Sequence, residues 1–391
     1  FTTLDTRLQK FAHKAVESHL TTLRRRLQPR ESREPLQAAL VAIENRTGAV
    51  RAMLGGRRYS LSQFNRAVSS NRMPGSSFKP IVYFTAMSYL GLSPASLVVD
   101  EPVTFQIPGS TSWEPKNFDD RYMGPVVLKK ALMKSLNVVS AKLVDRVTPR
   151  RVINMARRFG ITSPLGPHLS LALGTSGISP LQMAAAYSVI ANLGVVNAPF
   201  LIRRVEDFRG TPLYEHFYRG VQRFSQKDLY PLLDMMQGVV EGGTGRVVRR
   251  LGFKHPAGGK TGTTNDFKDA WFNGFTKDMA VSVWVGYDNN EPMLRKNGRG
   301  LTGASGAAPI WAYFMKKAHA DKNPVKFPVP DGIRFAEVDV KTGYLADSET
   351  KESIRVAVKE ETPLQYPPLP PWPPAMESPV DNRTEHGVPG L

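Results

Sequence analysis

Apolar and polar residues alternate in patterns that divide the chain into helical and extended segments. Over residues 5–27 the apolar positions recur at helical spacing among many charges, which predicts a surface helix that ends near Pro29. Two extended runs, 40–43 and 49–54, flank turn-forming residues at 45–48 and predict a β-hairpin.

The rest of the chain contains further helical segments and then extended ones. One predicted helix follows the Pro-Gly pair at 74–75. Three further predicted helices cover 125–147, 180–194 and 229–240. The predicted strands cover 258–263, 270–275 and 280–287, with a short strand-like region at 333–358. Strands, then helices, then antiparallel strands predict a mixed α/β fold with an antiparallel sheet between helical layers.

The 391 residues are expected to form one main domain with shorter segments at both ends. We predict a helical linker at 1–36, a main domain at 37–320 and a small C-terminal β region at 321–362. From 363 to 391 the proline-rich sequence favours extended polyproline and predicts a disordered tail.

Composition narrows the classes of partner and of chemistry. The absence of cysteine removes disulfides, thiolate catalysis and cysteine-based zinc sites. A formal net charge of +18 favours anionic partners, but no aromatic residues interleave the basic clusters as they do in nucleic-acid-binding proteins. No apolar stretch reaches the ~20 residues that span a bilayer. Because the chain begins with Phe1 rather than methionine, we expect that a membrane anchor precedes it.

Ser76 and Lys79 form the first of three short patterns that carry chemistry. Serine and lysine at positions i and i+3 at the start of a helix lie on one face, one turn apart. An amine whose pKa is lowered by burial or by nearby cations can take the proton of a serine hydroxyl, and the helix N-terminus favours an oxyanion. Ser348 and Lys351 repeat the spacing, but they are interpreted as part of a solvated turn.

Ser135 and Asn137 form the second pattern, inside or at the edge of the helix predicted at 125–147. A second hydroxyl can relay a proton to a leaving amine, while an amide can orient the substrate. Taken alone, both residues would be interpreted as ordinary polar positions of a helix.

The third pattern is Lys-Thr-Gly-Thr at 260–263, on a predicted strand. On a strand, the lysine and the glycine face one way and the two threonines the other. Glycine lets a ligand approach the backbone closely, and a cation with hydroxyls suits a substrate that ends in a carboxylate. A second Lys-Thr-Gly, at 341–343, follows an extended segment and is interpreted as a hairpin turn.

Taken in order, the three patterns resemble the transpeptidase domain of class A penicillin-binding proteins, the bifunctional peptidoglycan synthases. Each pattern is common alone, whereas the ordered set is not. The resemblance covers about residues 1–345 and implies a fold of the penicillin-binding and serine β-lactamase type. It is carried also by the sequences at 3–9, 63–67, 74–80, 115–117, 260–265 and 269–272.

This resemblance implies the catalytic roles. Ser76 is expected to attack the penultimate D-alanine carbonyl of a stem peptide, with Lys79 as its base. Ser135 would pass a proton to the leaving nitrogen, helped by Lys260.

The resemblance also implies the substrate-binding residues. Asn137 would hold the peptide amide, and Thr261, Gly262 and Thr263 would line the pocket for the terminal carboxylate. Backbone N–H groups of Ser76 and Thr263 would form the oxyanion hole.

The implied activity is that of a serine D,D-transpeptidase, which cross-links stem peptides through an acyl-enzyme and is acylated by β-lactams. Its expected partners are peptidoglycan stem peptides and β-lactams, without nucleic acid, metal or cofactor. Its expected location is the extracytoplasmic face of the bacterial inner membrane.

Two alternatives share this site: a D,D-carboxypeptidase, in which water replaces the acceptor amine, and a non-catalytic β-lactam sensor. A class A β-lactamase is disfavoured, because it needs a glutamate after the Ser-x-Asn element. No Asp or Glu lies between Asp145 and Glu206.

Overall fold

The structure, a computed structural model, describes residues 1–28, 34–69, 71–107, 112–348 and 350–364. The proline-rich tail predicted for 363–391 lies outside these residues from position 365 onward. No helix in the described ranges combines the length and the apolar character needed to cross a bilayer.

Helices and strands of the described residues are numbered in chain order. The α-helices are α1 (Thr6–Arg26), α2 (Arg66–Ser69), α3 (Lys79–Leu90), α4 (Leu128–Lys134), α5 (Asn137–Val147), α6 (Pro149–Arg158), α7 (Pro180–Ala191), α8 (Gln226–Glu241), α9 (Val247–Arg250), α10 (Gly303–Gly306) and α11 (Ala308–Ala318). The strands are β1 (Gln37–Glu44), β2 (Val50–Leu54), β3 (Leu97–Asp100), β4 (Gly124–Val127), β5 (Val195–Val196), β6 (Arg204–Glu206), β7 (Pro212–Glu215), β8 (Val221–Gln222), β9 (Gly258–Thr263), β10 (Asp269–Phe275), β11 (Met279–Gly286), β12 (Ile333–Asp339) and β13 (Ser353–Lys359). Short 3₁₀ helices cover Gly75–Phe78, Leu169–Leu173 and Asn265–Phe267.

A five-stranded antiparallel sheet lies at the centre, in the order β2-β1-β11-β10-β9. The predicted hairpin is confirmed as β1 and β2, and the three predicted strands are confirmed as β9, β10 and β11. The sheet ends at β9, so the Lys-Thr-Gly-Thr sequence lies on an edge strand.

Both faces of this sheet are buried, because side chains alternate across it. On β1, Leu40 and Ala42 belong to one hydrophobic cluster, while Val41 and Ile43 belong to the other. Helices α1 and α11 cover the first face, and α3, α5, α7 and α8 contribute to the cluster on the second. The predicted antiparallel sheet between helical layers is therefore confirmed.

The N-terminal helix predicted over 5–27 is confirmed as α1. Asp5 begins it, because its carboxylate accepts hydrogen bonds from the backbone N–H groups of Arg7 (2.8 Å) and Leu8 (3.0 Å). Its buried stripe, from Leu8 to Leu23, packs with residues of α11 and the sheet. The segment predicted as a linker thus packs on the central sheet, while the ranges of the four predicted segments stay predictions.

The single helix predicted over 125–147 is wrong. Val126 and Val127 belong to β4, which pairs with β3, and β-branched residues of this kind suit a strand. Two helices follow, α4 and α5, and Ser135 separates them in a left-handed conformation. Helical periodicity continues through the break, because both helices bury apolar residues in the same cluster.

The strand-like region predicted at 333–358 is an antiparallel hairpin of β12 and β13. Its valines form a small separate cluster with Ala95 and with Val127 at the end of β4. The C-terminal hairpin therefore packs beside the end of β4, and β13 also contacts α8.

Candidate active site

Ser76 lies in the 3₁₀ helix Gly75–Phe78, which runs directly into α3. Gly75 has a φ of +57°, a conformation that favours glycine. Its backbone lies against β9, since a Cβ on Gly75 would be only 2.8 Å from the carbonyl oxygen of Thr263. Ser76 therefore lies at the N-terminus of a helix and beside the end of the edge strand. Its side chain is partly exposed.

Two buried side chains hold the turn that carries Ser76. The indole Nε1 of Trp271 donates a 2.8 Å hydrogen bond to the carbonyl of Met73. The hydroxyl of Tyr187 donates a 2.7 Å hydrogen bond to the carbonyl of Ser77. Both donors come from the sheet or from a helix packed on it, so the position of the serine is fixed by the core.

Ser135 is the residue at which α4 ends. Its φ of +62° and ψ of +40° are left-handed, and Leu136 is extended before α5 begins at Asn137. The left-handed residue terminates one helix and lets the next begin at once. As a result, the Ser135 hydroxyl and carbonyl lie in a break between helices, where other side chains can reach them.

Lys79 is fully buried and reaches this break from α3. Its Nζ donates hydrogen bonds to the Ser135 carbonyl (2.7 Å) and to Oδ1 of Asn137 (2.7 Å), and it lies 3.4 Å from the Ser135 hydroxyl. Burial, and then the positive charge of Lys260, lowers the pKa of Lys79 well below its usual value.

Lys260 reaches the same hydroxyl from the opposite side, on β9. Its Nζ donates to Oγ of Ser135 at 2.8 Å and to the carbonyl of Thr261 at 3.1 Å. Burial lowers the pKa of Lys260 to about 7. Two buried amines, from a helix and from a strand, therefore converge on one serine hydroxyl.

The remaining residues of the third pattern alternate along β9 as predicted. The hydroxyl of Thr261 shares a 2.7 Å hydrogen bond with that of Thr244, and the hydroxyl of Thr263 accepts one from the Gly303 N–H at 3.0 Å. A Cβ on Gly262 would lie 2.2 Å from the Pro74 carbonyl oxygen, so only glycine lets β9 approach the turn before Ser76.

Asn137 is held by residues that the sequence patterns did not identify. Its N–H donates to Oδ1 of Asn117 at 2.8 Å, and its own amide donates to the Lys116 carbonyl at 2.8 Å. Asn117 is in turn held by both carboxylate oxygens of the buried Asp100, at 2.9 and 3.0 Å. This network caps the start of α5 and orients the amide that faces Lys79.

The structure brings the predicted site residues together, although they come from three separate parts of the chain. Lys79, Ser135, Asn137 and Lys260 are in direct contact, and Ser76 is one helical turn from Lys79. Sequence reasoning missed Asp100, Asn117 and Thr244 as supporting residues. Only Asn117 had a signal, since it lies in the 115–117 sequence on which the resemblance partly rests.

In the described part of the chain, no group of histidine, cysteine, aspartate and glutamate side chains is arranged to hold a metal ion. The cluster of amines, amides and hydroxyls can instead accept and relay protons around a carbonyl centre.

A known protein family and several curated proteins match the part of the chain that carries this site. A family model described as the penicillin binding protein transpeptidase domain matches residues 38–310. Penicillin-binding protein 1A of Aquifex aeolicus is 36% identical over 329 residues, which cover 84% of this chain and 44% of the relative. That of Pseudomonas aeruginosa is 34% identical, over 86% of this chain and 46% of the relative. The chain thus spans less than half the length of these curated relatives.

Solved structures have a similar fold. Penicillin-binding protein 1A from Haemophilus influenzae matches with a TM-score of 0.83 at 24% identity, over 94% of this chain and 73% of that one. The penicillin-binding protein PonA1 from Mycobacterium tuberculosis matches with a TM-score of 0.74 at 26% identity, over 84% and 87%. PonA1 has also been solved in complex with penicillin V.

Proposed function

Because the chain belongs to the penicillin-binding protein transpeptidase family and corresponds to the transpeptidase region of its class A members, we propose that it is a serine D,D-transpeptidase. In this proposal it cross-links peptidoglycan stem peptides through an acyl-enzyme on Ser76. One observation carries it above all: two buried amines converge on the Ser135 hydroxyl, and one of them, Lys79, lies one helical turn from Ser76.

The first step needs a base for the Ser76 hydroxyl, and Lys79 suits that role. A neutral amine has two N–H groups and one lone pair. The two 2.7 Å hydrogen bonds, to the Ser135 carbonyl and to Asn137, use both hydrogens. The lone pair is left to accept the proton as Oγ of Ser76 attacks the penultimate D-alanine carbonyl.

The second step needs an acid for the leaving nitrogen of the terminal D-alanine. The proton taken by Lys79 can pass across 3.4 Å to the Ser135 hydroxyl, which gives its own proton to the nitrogen as the C–N bond breaks. Lys260, at 2.8 Å from the same hydroxyl, supports this relay from the other side. The products are free D-alanine and an ester on Ser76.

Backbone and hydroxyl groups near the end of β9 suit the charges of the substrate. The Thr263 hydroxyl accepts a hydrogen bond from Gly303, so its own hydrogen is free to donate to the terminal carboxylate beside Thr261. The N–H groups of Ser76 and Thr263 would stabilise the oxyanion, and the close approach of Gly75 to Thr263 supports this pairing.

An amine from a neighbouring stem peptide then attacks the ester and regenerates Ser76, which completes the cross-link. β-Lactams would acylate the same serine. Since the chain spans less than half of its curated relatives, a glycosyltransferase activity and a membrane-anchored, extracytoplasmic location of the whole protein belong to the same proposal.

Intact-mass measurement after exposure to benzylpenicillin tests the nucleophile. We expect one covalent adduct on the parent and none on Ser76→Ala. A matched control is Ser348→Ala, which removes the serine of the exposed Ser-x-x-Lys repeat and should acquire the adduct like the parent. An adduct retained by Ser76→Ala would refute the assignment.

A stem pentapeptide offered with a D-amino acid as acceptor separates the remaining alternatives. A transpeptidase transfers the acyl group to the amine, whereas a D,D-carboxypeptidase releases only the shortened peptide. A sensor acquires the penicillin adduct but does not convert the pentapeptide.

A further inference from the structure

Two aromatic side chains, Phe118 and Phe267, meet at the edge of the cluster described above. Their ring centroids are 6.0 Å apart and their planes cross at 86°, an edge-to-face contact. The two residues are far apart in sequence and belong to segments on opposite sides of the site. We call this pair the aromatic clasp.

Phe267 belongs to the side formed by β9. It lies in the β9–β10 connection, where Asp266 and Phe267 are both left-handed, with φ of +59° and +57°. Two consecutive left-handed residues are strained unless they are glycine, and a bulky side chain makes the second an outlier. A Cβ on Gly300 would lie 2.0 Å from Cγ of Phe267, so this glycine leaves the space that the ring occupies.

Phe118 belongs to the other side, formed by the helices. It directly follows Asn117, which is buried and holds the start of α5 and the N–H of Asn137. Phe118 itself is 70% exposed, although its neighbour is almost fully buried. An aromatic ring held at a fixed point yet left mostly in water offers apolar surface to a ligand.

The chain positions of the two rings indicate which part of a ligand would meet the clasp. In the proposed function, the terminal carboxylate lies near Thr261 and Thr263, and the peptide amide lies near Asn137. Phe267 comes four residues after Thr263 along the chain, and Phe118 directly follows Asn117, so the clasp adjoins both binding elements. A donor chain that leaves the acyl centre past Asn137 therefore leads toward the clasp.

We propose that Phe118 and Phe267 determine donor specificity, because the aliphatic chain of the stem-peptide residues upstream of D-alanyl-D-alanine packs against them. This inference rests on the proposed function. The backbone strain at Phe267 then serves binding, since it keeps the second ring against Gly300 and in contact with the first.

Steady-state kinetics with a long and a short donor test this. The long donor is a stem pentapeptide that ends in D-alanyl-D-alanine, and the short one is N-acetyl-D-alanyl-D-alanine, which has no upstream residues. For Phe118→Ala we expect kcat/KM for the pentapeptide to fall about tenfold, mostly through KM, because apolar contact is lost. The short donor, and acylation by 6-aminopenicillanic acid, should stay within about twofold of the parent.

Control variants separate binding from folding. Phe118→Tyr keeps the ring and should behave like the parent, and Phe267→Ala should reproduce the effect of Phe118→Ala. Phe208→Ala removes another ring, 91% exposed between β6 and β7, and should change neither donor.

Outcomes that differ from these expectations overturn the inference. Equal losses with both donors would make the clasp a structural contact, while an unchanged or lowered KM for the pentapeptide would show that the rings do not hold the donor. A parent that is acylated by neither donor nor 6-aminopenicillanic acid would refute the proposed function, and the clasp with it.

Discussion

Two pairs of buried lysines occupy different environments in this protein. Lys79 and Lys260 are fully buried, and in the described part of the chain their hydrogen-bond partners are hydroxyl, carbonyl and amide oxygens. Lys129 and Lys142 are each 6% exposed but bind carboxylates, of Asp234 at 2.6 Å and Glu101 at 2.9 Å.

The two pairs of lysines differ in whether a carboxylate lies next to the ammonium group as its counter-ion. A carboxylate offsets the loss of hydration of a buried ammonium, whereas neutral oxygens offset it only in part. For this reason burial lowers the pKa of Lys79 and of Lys260, which favours the neutral amine that can accept a proton. The paired lysines instead join elements: Lys129 links α4 to α8 and also donates to the Arg355 carbonyl of β13 at 2.7 Å.

The largest effect is expected from Lys79→Met. It removes the proposed base, so acylation of Ser76 should fall by about 100-fold to 10,000-fold. Stopped-flow labelling with a fluorescent penicillin measures this rate. Lys79→Arg is the sharper variant, because arginine stays protonated in proteins. If Lys79→Arg retained the rate of the parent, the role of an unprotonated amine would be wrong.

A smaller effect, on stability rather than rate, is expected from Lys129→Met. The Asp234 carboxylate would stay buried without its partner, which should lower the free energy of unfolding by about 3 kcal/mol. Urea unfolding followed by tryptophan fluorescence measures this change.

Lys322 provides the matched control for that variant. It binds Asp278 at 2.9 Å, but both side chains are almost half exposed. Lys322→Met should therefore change the free energy of unfolding by no more than about 0.5 kcal/mol. Equal losses for the two variants would contradict the distinction between buried and exposed pairs.

A gradual effect, spread over several pH units, is expected for Lys260. Its pKa of about 7 in the folded chain lies below the usual value of 10.5, so between these values the unfolded chain binds more protons. Stability contributed by this group therefore rises with pH across that window, by at most about 1.4 kcal/mol per unit. The free energy of unfolding of the parent, measured from pH 7 to 10, should rise relative to that of Lys260→Met. Parallel curves would mean that Lys260 is protonated in the folded protein.

Periodicity and turn residues predicted most of the central sheet, because β1, β2, β10 and β11 are largely apolar runs bounded by glycine or turn-forming residues. They did not predict the break at Ser135, because nothing in the local sequence indicates that this serine adopts a left-handed conformation. The strands between 195 and 222 were missed as well, because they are short and several of their residues are exposed.

The residues proposed for the reaction were selected from the sequence, but the residues that hold them in place were not. Ser76 and Lys79 are fixed by spacing on one helix, whereas Asp100 acts on Asn137 only through Asn117, across two loops. Likewise, Thr244 meets Thr261 because α8 ends beside β9. Contacts of this kind depend on packing between distant segments.

Position 135 combines a backbone conformation that favours glycine with a side chain that the proposed reaction requires. Glycine adopts its left-handed conformation more readily than serine, so exchange to glycine would relax the chain where α4 ends. The same exchange would remove the hydroxyl that both amines contact. Selection for heat resistance alone would therefore favour glycine here, whereas the proposed proton relay requires the serine.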